Sequence, residues 1–193
     1  MPKINNDTFY LNAFKKYKIS PKGVNWKNKK SQEVRFEIIL EFLKDKLSHK
    51  TKVIDAGCGF GDFYLFAKKR GFLFEYVGYD ILQKFVDITK DRTSCNAFKK
   101  DILSDELDMA DYYIASGSLN ILTKFETYLF IKRCFEYSKK GFIFNFLEGN
   151  ELDKNFNILN KNEVISYAKE LGAKVSVKDD YLSGDISLFL ERI

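Results

Sequence analysis

Three glycines at alternating positions, Gly57, Gly59 and Gly61, follow a short apolar run that ends in Asp55. The stretch reads Val53-Ile54-Asp55-Ala56-Gly57-Cys58-Gly59-Phe60-Gly61-Asp62 and leads into an amphipathic pattern from Phe63. A strand that turns through glycines into a helix is the geometry of a nucleotide-type cofactor site. Glycine lets backbone approach a ligand closely, and a helix N-terminus presents unpaired N–H groups. The dinucleotide fingerprint is G-x-G-x-x-G, whose glycines receive a pyrophosphate. Here the third glycine comes one residue early and a carboxylate precedes the loop. That arrangement suits a ligand carrying an ammonium and no phosphate.

More acids follow where the pattern places strand ends. Asp80, twenty-five positions after Asp55, can accept both hydroxyls of a ribose or cap the next helix. Asp101 can accept from an adenine amino group, with Ile102 against the ring, or can be an exposed turn acid. Asp55, Asp80, Asp101 and Ser116 would line one crevice at the carboxyl edge of a sheet, where open α/β folds bind ligands.

The elements that position these residues alternate along the chain. Strands are expected at 52–55, 74–79, 94–98, 110–115 and 141–146, the last a continuous apolar run as in the middle of a parallel sheet. Helices are expected at 62–70, 82–91 and 125–138. A helix at 163–171, capped by Asn160 and ended by Gly172, precedes alternating strands at 173–177 and 186–190. Leu182-Ser183-Gly184-Asp185 between these strands predicts an antiparallel hairpin. Ahead of the first strand, Phe9, Tyr10, Phe14 and Tyr17 recur at helical spacing, Ser20-Pro21-Lys22-Gly23 marks a turn, and Ser31 can cap a second helix.

Taken in order, V-I-D-A-G-C-G-F-G-D, Y-V-G-Y-D, F-K-K-D-I and A-D-Y-Y-I-A-S-G-S-L resemble the class I S-adenosylmethionine-dependent methyltransferases over residues 51–193. The resemblance implies an α/β, Rossmann-like, seven-stranded, mostly parallel sheet with an antiparallel last strand and helices on both faces. Residues 1–50 would form an N-terminal helical cap within the same domain. It further implies that Asp55, Gly57 and Gly59 border the methionine part of S-adenosyl-L-methionine. Asp80 with Ile81 would hold the ribose, Asp101 with Ile102 the adenine, and Ser116 with Gly117 would lie beside the sulfonium. Segment Trp26…Ser31-Gln32…Arg35-Phe36 is similar to the pre-core segment of small bacterial members. Arg35 or Gln32 would then meet the cofactor carboxylate; otherwise Arg35 pairs with Glu37 or a core-edge acid.

The methyl acceptor is less defined. Transfer from a sulfonium is an in-line displacement in which positioning supplies much of the acceleration, so no dedicated base is required. The Asn/Asp-Pro-Pro-Tyr run of many amino-methylating relatives is replaced by Ser116-Gly117-Ser118-Leu119. Asn120, Asn145, Glu148 and Tyr181 are the candidates on the substrate side. A small-molecule enzyme would fold Phe9, Tyr10, Phe14, Tyr17 and Trp26 over the crevice. An enzyme acting on RNA or protein would present Lys15, Lys16, Lys18, Lys22, Lys27, Lys29 and Lys30 outward. A small molecule is the preferred acceptor; a catalytically silent cofactor-binding module and a nicotinamide oxidoreductase are the other classes considered.

Bulk properties fit this reading. The 193 residues suffice for one domain, with 45% hydrophobic and 31% charged residues and a net charge of +5. No apolar run approaches a membrane span, and Met1–Asp7 carries no secretory pattern. Cys58, Cys95 and Cys134 are odd in number and lack ligand spacing, which points to a reducing cytoplasm and no metal. His49 precedes the first strand, at the edge away from the crevice.

Overall fold

Residues 6–149 and 156–193 are described by a computed structural model of the chain. The expectations for the first five residues and for the middle of the loop beyond Phe146 lie outside them. Helix α1 (Asn6–Tyr17), a 3-10 turn (Pro21–Val24) and α2 (Lys29–Leu43) lead into β1 (Lys52–Ala56), α3 (Asp62–Lys69), β2 (Glu75–Asp80) and α4 (Gln83–Thr93). Then come β3 (Asn96–Lys99), β4 (Ala110–Ala115), α5 (Lys124–Glu136), β5 (Ser138–Glu148), β6 (Ile158–Leu159), α6 (Lys161–Glu170), β7 (Ala173–Lys178) and β8 (Asp185–Arg192).

Seven strands lie in the order β3-β2-β1-β4-β5-β8-β7, and two-residue β6 pairs with β5 off this path. β8 runs antiparallel to both β5 and β7, while the remaining pairs are parallel. The expected seven-stranded sheet is therefore present, with β6 as an addition too short for any periodicity to announce.

Alternation along the central strands explains the two-sided core. Ile54, Tyr113, Phe142 and Phe144 face one way and pack with Ile131 of α5 and Val164 of α6. Val53, Tyr112 and Ile143 face the other way and pack with Phe36, Ile39 and Leu43 of α2 and Phe63 of α3. Successive side chains on a strand point to opposite faces, so a sheet covered on both sides reads as unbroken apolar sequence. Truncating a fully buried member such as Ile143 to Ala would cost about 2–5 kcal/mol.

Local signals set the boundaries. Asn28, rather than Ser31, caps α2: its Oδ1 accepts the Ser31 N–H at 2.8 Å. Ser31 is the third residue of the helix, three positions past the cap, and is the donor to it. Thr123 and Glu126 form a reciprocal capping box at α5. The expected cap over residues 1–50 divides in two. α2 buries Ile39 and Leu43 in the core, whereas Tyr10, Phe14 and Val24, from α1 and the 3-10 turn, pack on Phe60, Leu82 and Phe85. α2 has an apolar stripe broad enough to be a sheet-covering helix, and that stripe outweighs its place in sequence.

Candidate functional site

The glycine loop is stitched to the end of β2 by backbone. Both Gly57 N–H and Cys58 N–H donate to the Tyr79 carbonyl, at 2.8 and 2.9 Å. Gly57 has φ of 87°, and a Cβ there would stand 2.2 Å from Ser118 Oγ. Only glycine meets both demands. Asp80 completes the stitch: Oδ2 accepts Gly59 N–H at 3.0 Å and Oδ1 accepts Leu82 N–H at 2.9 Å. Asp80 thus orders the turn that leads into α4 and holds the glycine loop at once. Its carboxyl still faces the crevice.

Next along the edge, Asp55 accepts from Tyr76 Oη at 2.9 Å. Both acids are buried, and neither has a cationic partner within hydrogen-bond reach among the described residues. Burial pushes Asp55 up to about 7 despite the Tyr76 hydroxyl, with Asp80 and Asp62 adding repulsion. Burial likewise pushes Asp80 to about 6, against its backbone donors, Leu82 and Gly59 foremost. Two desolvated carboxyls favour a ligand that supplies positive charge and hydroxyl donors.

These residues line a cavity of roughly 610 Å³, within the range of small-molecule sites. Asp55, Gly57, Gly59, Asp80, Ile81, Asp101, Ile102, Ser116, Gly117, Gln32, Arg35 and Asn120 all contribute to its wall. Phe9, Tyr10, Val24 and Trp26 close it from the N-terminal segment. Phe14 braces this roof against Phe60 and Phe85 at ring separations of 5.8 and 5.9 Å. Tyr17 is exposed, and so are the seven lysines between residues 15 and 30.

Asp101 accepts the Leu103 N–H at 2.8 Å through Oδ1, so it orders its own turn while lining the cavity. Gln32 donates to Asp62 at 3.2 Å. Arg35 takes the core-edge acid of its two expected partners: Nη2 donates to Asp185, the first residue of β8. The guanidinium also lies 4.6 Å above the Trp26 ring.

Beyond β4, the register places Asn145 one step past the Ala115–Phe144 pair, level with Ser116. Fully buried Asn145 donates to Ser116 Oγ at 3.1 Å and accepts the Gly117 N–H at 3.0 Å. Asn145 therefore acts behind the wall rather than in it. A Cβ at Gly117 would approach the Trp26 ring to 3.1 Å. Among the substrate-side candidates, Asn120 reaches the cavity; Glu148 and Tyr181 are absent from its lining. Tyr181 Oη is engaged with Ser187 Oγ at 2.7 Å, and Glu148 N–H is tied to the Gly184 carbonyl at 2.9 Å. Sequence reasoning missed Asp185 and Tyr76. The available signal was Arg35 on the same α2 face as Phe36 and Ile39, a buried cation that requires an acid.

No family model matches the sequence, and no curated protein matches it. Solved structures do. Magnesium protoporphyrin IX methyltransferase (ChlM) from Synechocystis PCC 6803, solved with bound SAH, superposes with a TM-score of 0.77 at 14% identity, over 97% of each chain. An S-adenosylmethionine-dependent methyltransferase from Clostridium acetobutylicum ATCC 824 gives 0.66 at 12%, over 83% of this chain and 92% of that one. A SAM-dependent methyltransferase from Aquifex aeolicus gives 0.63 at 16%, over 86% and 94%. The sheet order and these superpositions agree: the chain has the fold of the S-adenosylmethionine-dependent class I methyltransferases.

Proposed function

We propose that the chain is an S-adenosylmethionine-dependent methyltransferase acting on a small-molecule acceptor. The observation that carries this reading is the pair of buried carboxyls, Asp55 and Asp80, flanking Gly57 and Gly59 without a cationic partner among the described residues. An ammonium near Asp55 and ribose hydroxyls at Asp80 would satisfy them. Asp101 and Ile102, one strand further out, have the chemistry for an adenine edge and face. When bound, S-adenosylmethionine supplies a methyl group made electrophilic by its sulfonium.

The chain's own contribution is placement. Asn145 fixes Ser116 and Gly117 at the end of β4, which holds the wall where the reacting groups would meet. Fixing two reactants in line removes much of the entropic part of a displacement barrier. α1, the 3-10 turn and the segment after it put Phe9, Tyr10, Val24 and Trp26 over the cavity, where they would exclude water around a bound ligand. The same roof favours a small acceptor, since Phe9, Tyr10 and Trp26 line the cavity while all the lysines of residues 15–30 are exposed and only Lys27 among them reaches its rim.

Titration calorimetry with S-adenosylhomocysteine tests the cofactor. Saturable one-to-one binding is expected, with no heat from NADH. Binding of NADH in its place would overturn the reading.

A further inference from the structure

The sheet order divides the cavity. Asp101, Asp80 and Asp55 stand at the ends of β3, β2 and β1, whereas Asp185 begins β8, three strands beyond β1. At about 4.8 Å per strand that is roughly 14 Å of sheet. Arg35 and Asp185 therefore occupy the other half, with Trp26 against Gly117 between the two. Both members of the pair line the cavity and are more than nine-tenths buried.

Three buried polar atoms on this side lack a partner among the described residues: Arg35 Nε, Asp185 Oδ1 and Asn120 Oδ1. An unsatisfied buried donor or acceptor costs about 1–3 kcal/mol, so a ligand toward which the side chain turns to complete it recovers up to that amount, less the cost of the turn. The set comprises one donor and two acceptors. Arg35 is already neutralised by Asp185, and Ile121, Phe130, Leu147 and Leu182 make the surrounding wall apolar.

Building on the methyltransferase reading, we infer that Arg35, Asp185 and Asn120 form the acceptor subsite. It takes a neutral molecule with an apolar body and an O–H or N–H group. The hydrogen is donated to Asp185 or Asn120, and a lone pair of the ligand accepts from Arg35. An anionic acceptor is disfavoured, because among the described lining residues the only buried cation, Arg35, is spent on Asp185, and Lys27 at the rim is exposed. Burial also raises the Asp185 carboxyl despite Arg35, which favours a shared hydrogen over a second negative charge.

Ligand-observed NMR with simple probes tests this, in the presence of S-adenosylhomocysteine. Phenol and benzamide should bind, anisole should bind about tenfold more weakly for want of the donated hydrogen, and benzoate should bind least. Removing one member of a buried ion pair can unfold a protein, whereas apolar replacement of both is often tolerated. The double variant Arg35→Met/Asp185→Leu should thus keep its melting temperature and its S-adenosylhomocysteine affinity while losing the preference for phenol over anisole. Equal binding of phenol and anisole to the wild type, preference for benzoate, or an unaltered preference in the double variant would overturn the subsite. Failure of S-adenosylhomocysteine to bind would instead overturn the cofactor reading. The probe comparison, run without it, still reads the three residues directly.

Discussion

On the β1–β3 side of the cavity Asp80 is held by the backbone N–H groups of Gly59 and Leu82 and Asp101 by that of Leu103, with Asp55 taking the hydroxyl of Tyr76 on the neighbouring strand. On the β4–β8 side the polar groups are held by side chains far apart in sequence, Arg35 by Asp185 and Ser116 by Asn145. The first arrangement fixes carboxyls and leaves their charge unmet. The second cancels charge and leaves individual hydrogen-bonding atoms unmet. A charged, invariant ligand matches the former; a neutral ligand matches the latter.

The largest expected effect falls on the backbone-held side. Asp80→Ala removes acceptors from two backbone donors and the ribose site together, and should weaken S-adenosylhomocysteine binding by about 100-fold or more in calorimetry. An affinity within a few-fold of wild type would mean that the ligand does not lean on the acidic half. Asn145→Ala, on the other side, strands Gly117 N–H in the interior. A loss of about 2–3 kcal/mol is expected, read as a melting temperature roughly 5–10 °C lower. Its cofactor affinity should change far less than that of Asp80→Ala; a reversed ranking would erase the division between the halves.

A smaller effect is set by pH. Asp55 has a folded value of about 7 against an ordinary 3.8, so the folded state holds its proton more tightly than the unfolded state. That contribution to stability is complete below about pH 4 and is lost as pH rises through 7. The melting temperature of Asp55→Asn should therefore gain on that of the wild type between pH 5 and 8. Binding of a cation beside Asp55 reverses the preference, so S-adenosylmethionine affinity should rise from pH 5 to 7, by at most about tenfold per pH unit. A flat affinity profile would remove Asp55 from the ammonium site. The smallest effect belongs to the solvated roof: Lys15→Gln with Lys16→Gln should leave stability within about 0.5 kcal/mol. Cofactor binding should also be nearly insensitive to salt.

What could be read from the sequence follows the same division. The placement of the Asp55–Asp62 turn, Asp80 and Asp101 at the cavity was legible because each position is encoded by neighbours: a strand, a turn, then a helix. The hairpin was legible for the same reason. Asp185 was passed over as a turn residue, since only the antiparallel β5–β8 register, with Leu147 opposite Asp185, brings it to the cavity. Asn145 was named as a substrate-side group, yet its role as a brace depends on the β4–β5 register. Glu148 and Tyr181 sit near strand ends as expected. Strand ends alone do not say which way a side chain turns, and hydrogen bonding to Ser187 decided it for Tyr181.

Trp26 has one more consequence. It is the sole tryptophan among eleven tyrosines, and it sits in the cavity wall with a guanidinium on its face and Gly117 at its edge. Excited at the red edge, where tyrosine does not absorb, the protein emits from one place only, between the two halves. The chain carries its own optical probe: filling either half alters the surroundings of the same indole. Each ligand can then be followed in real time without a label.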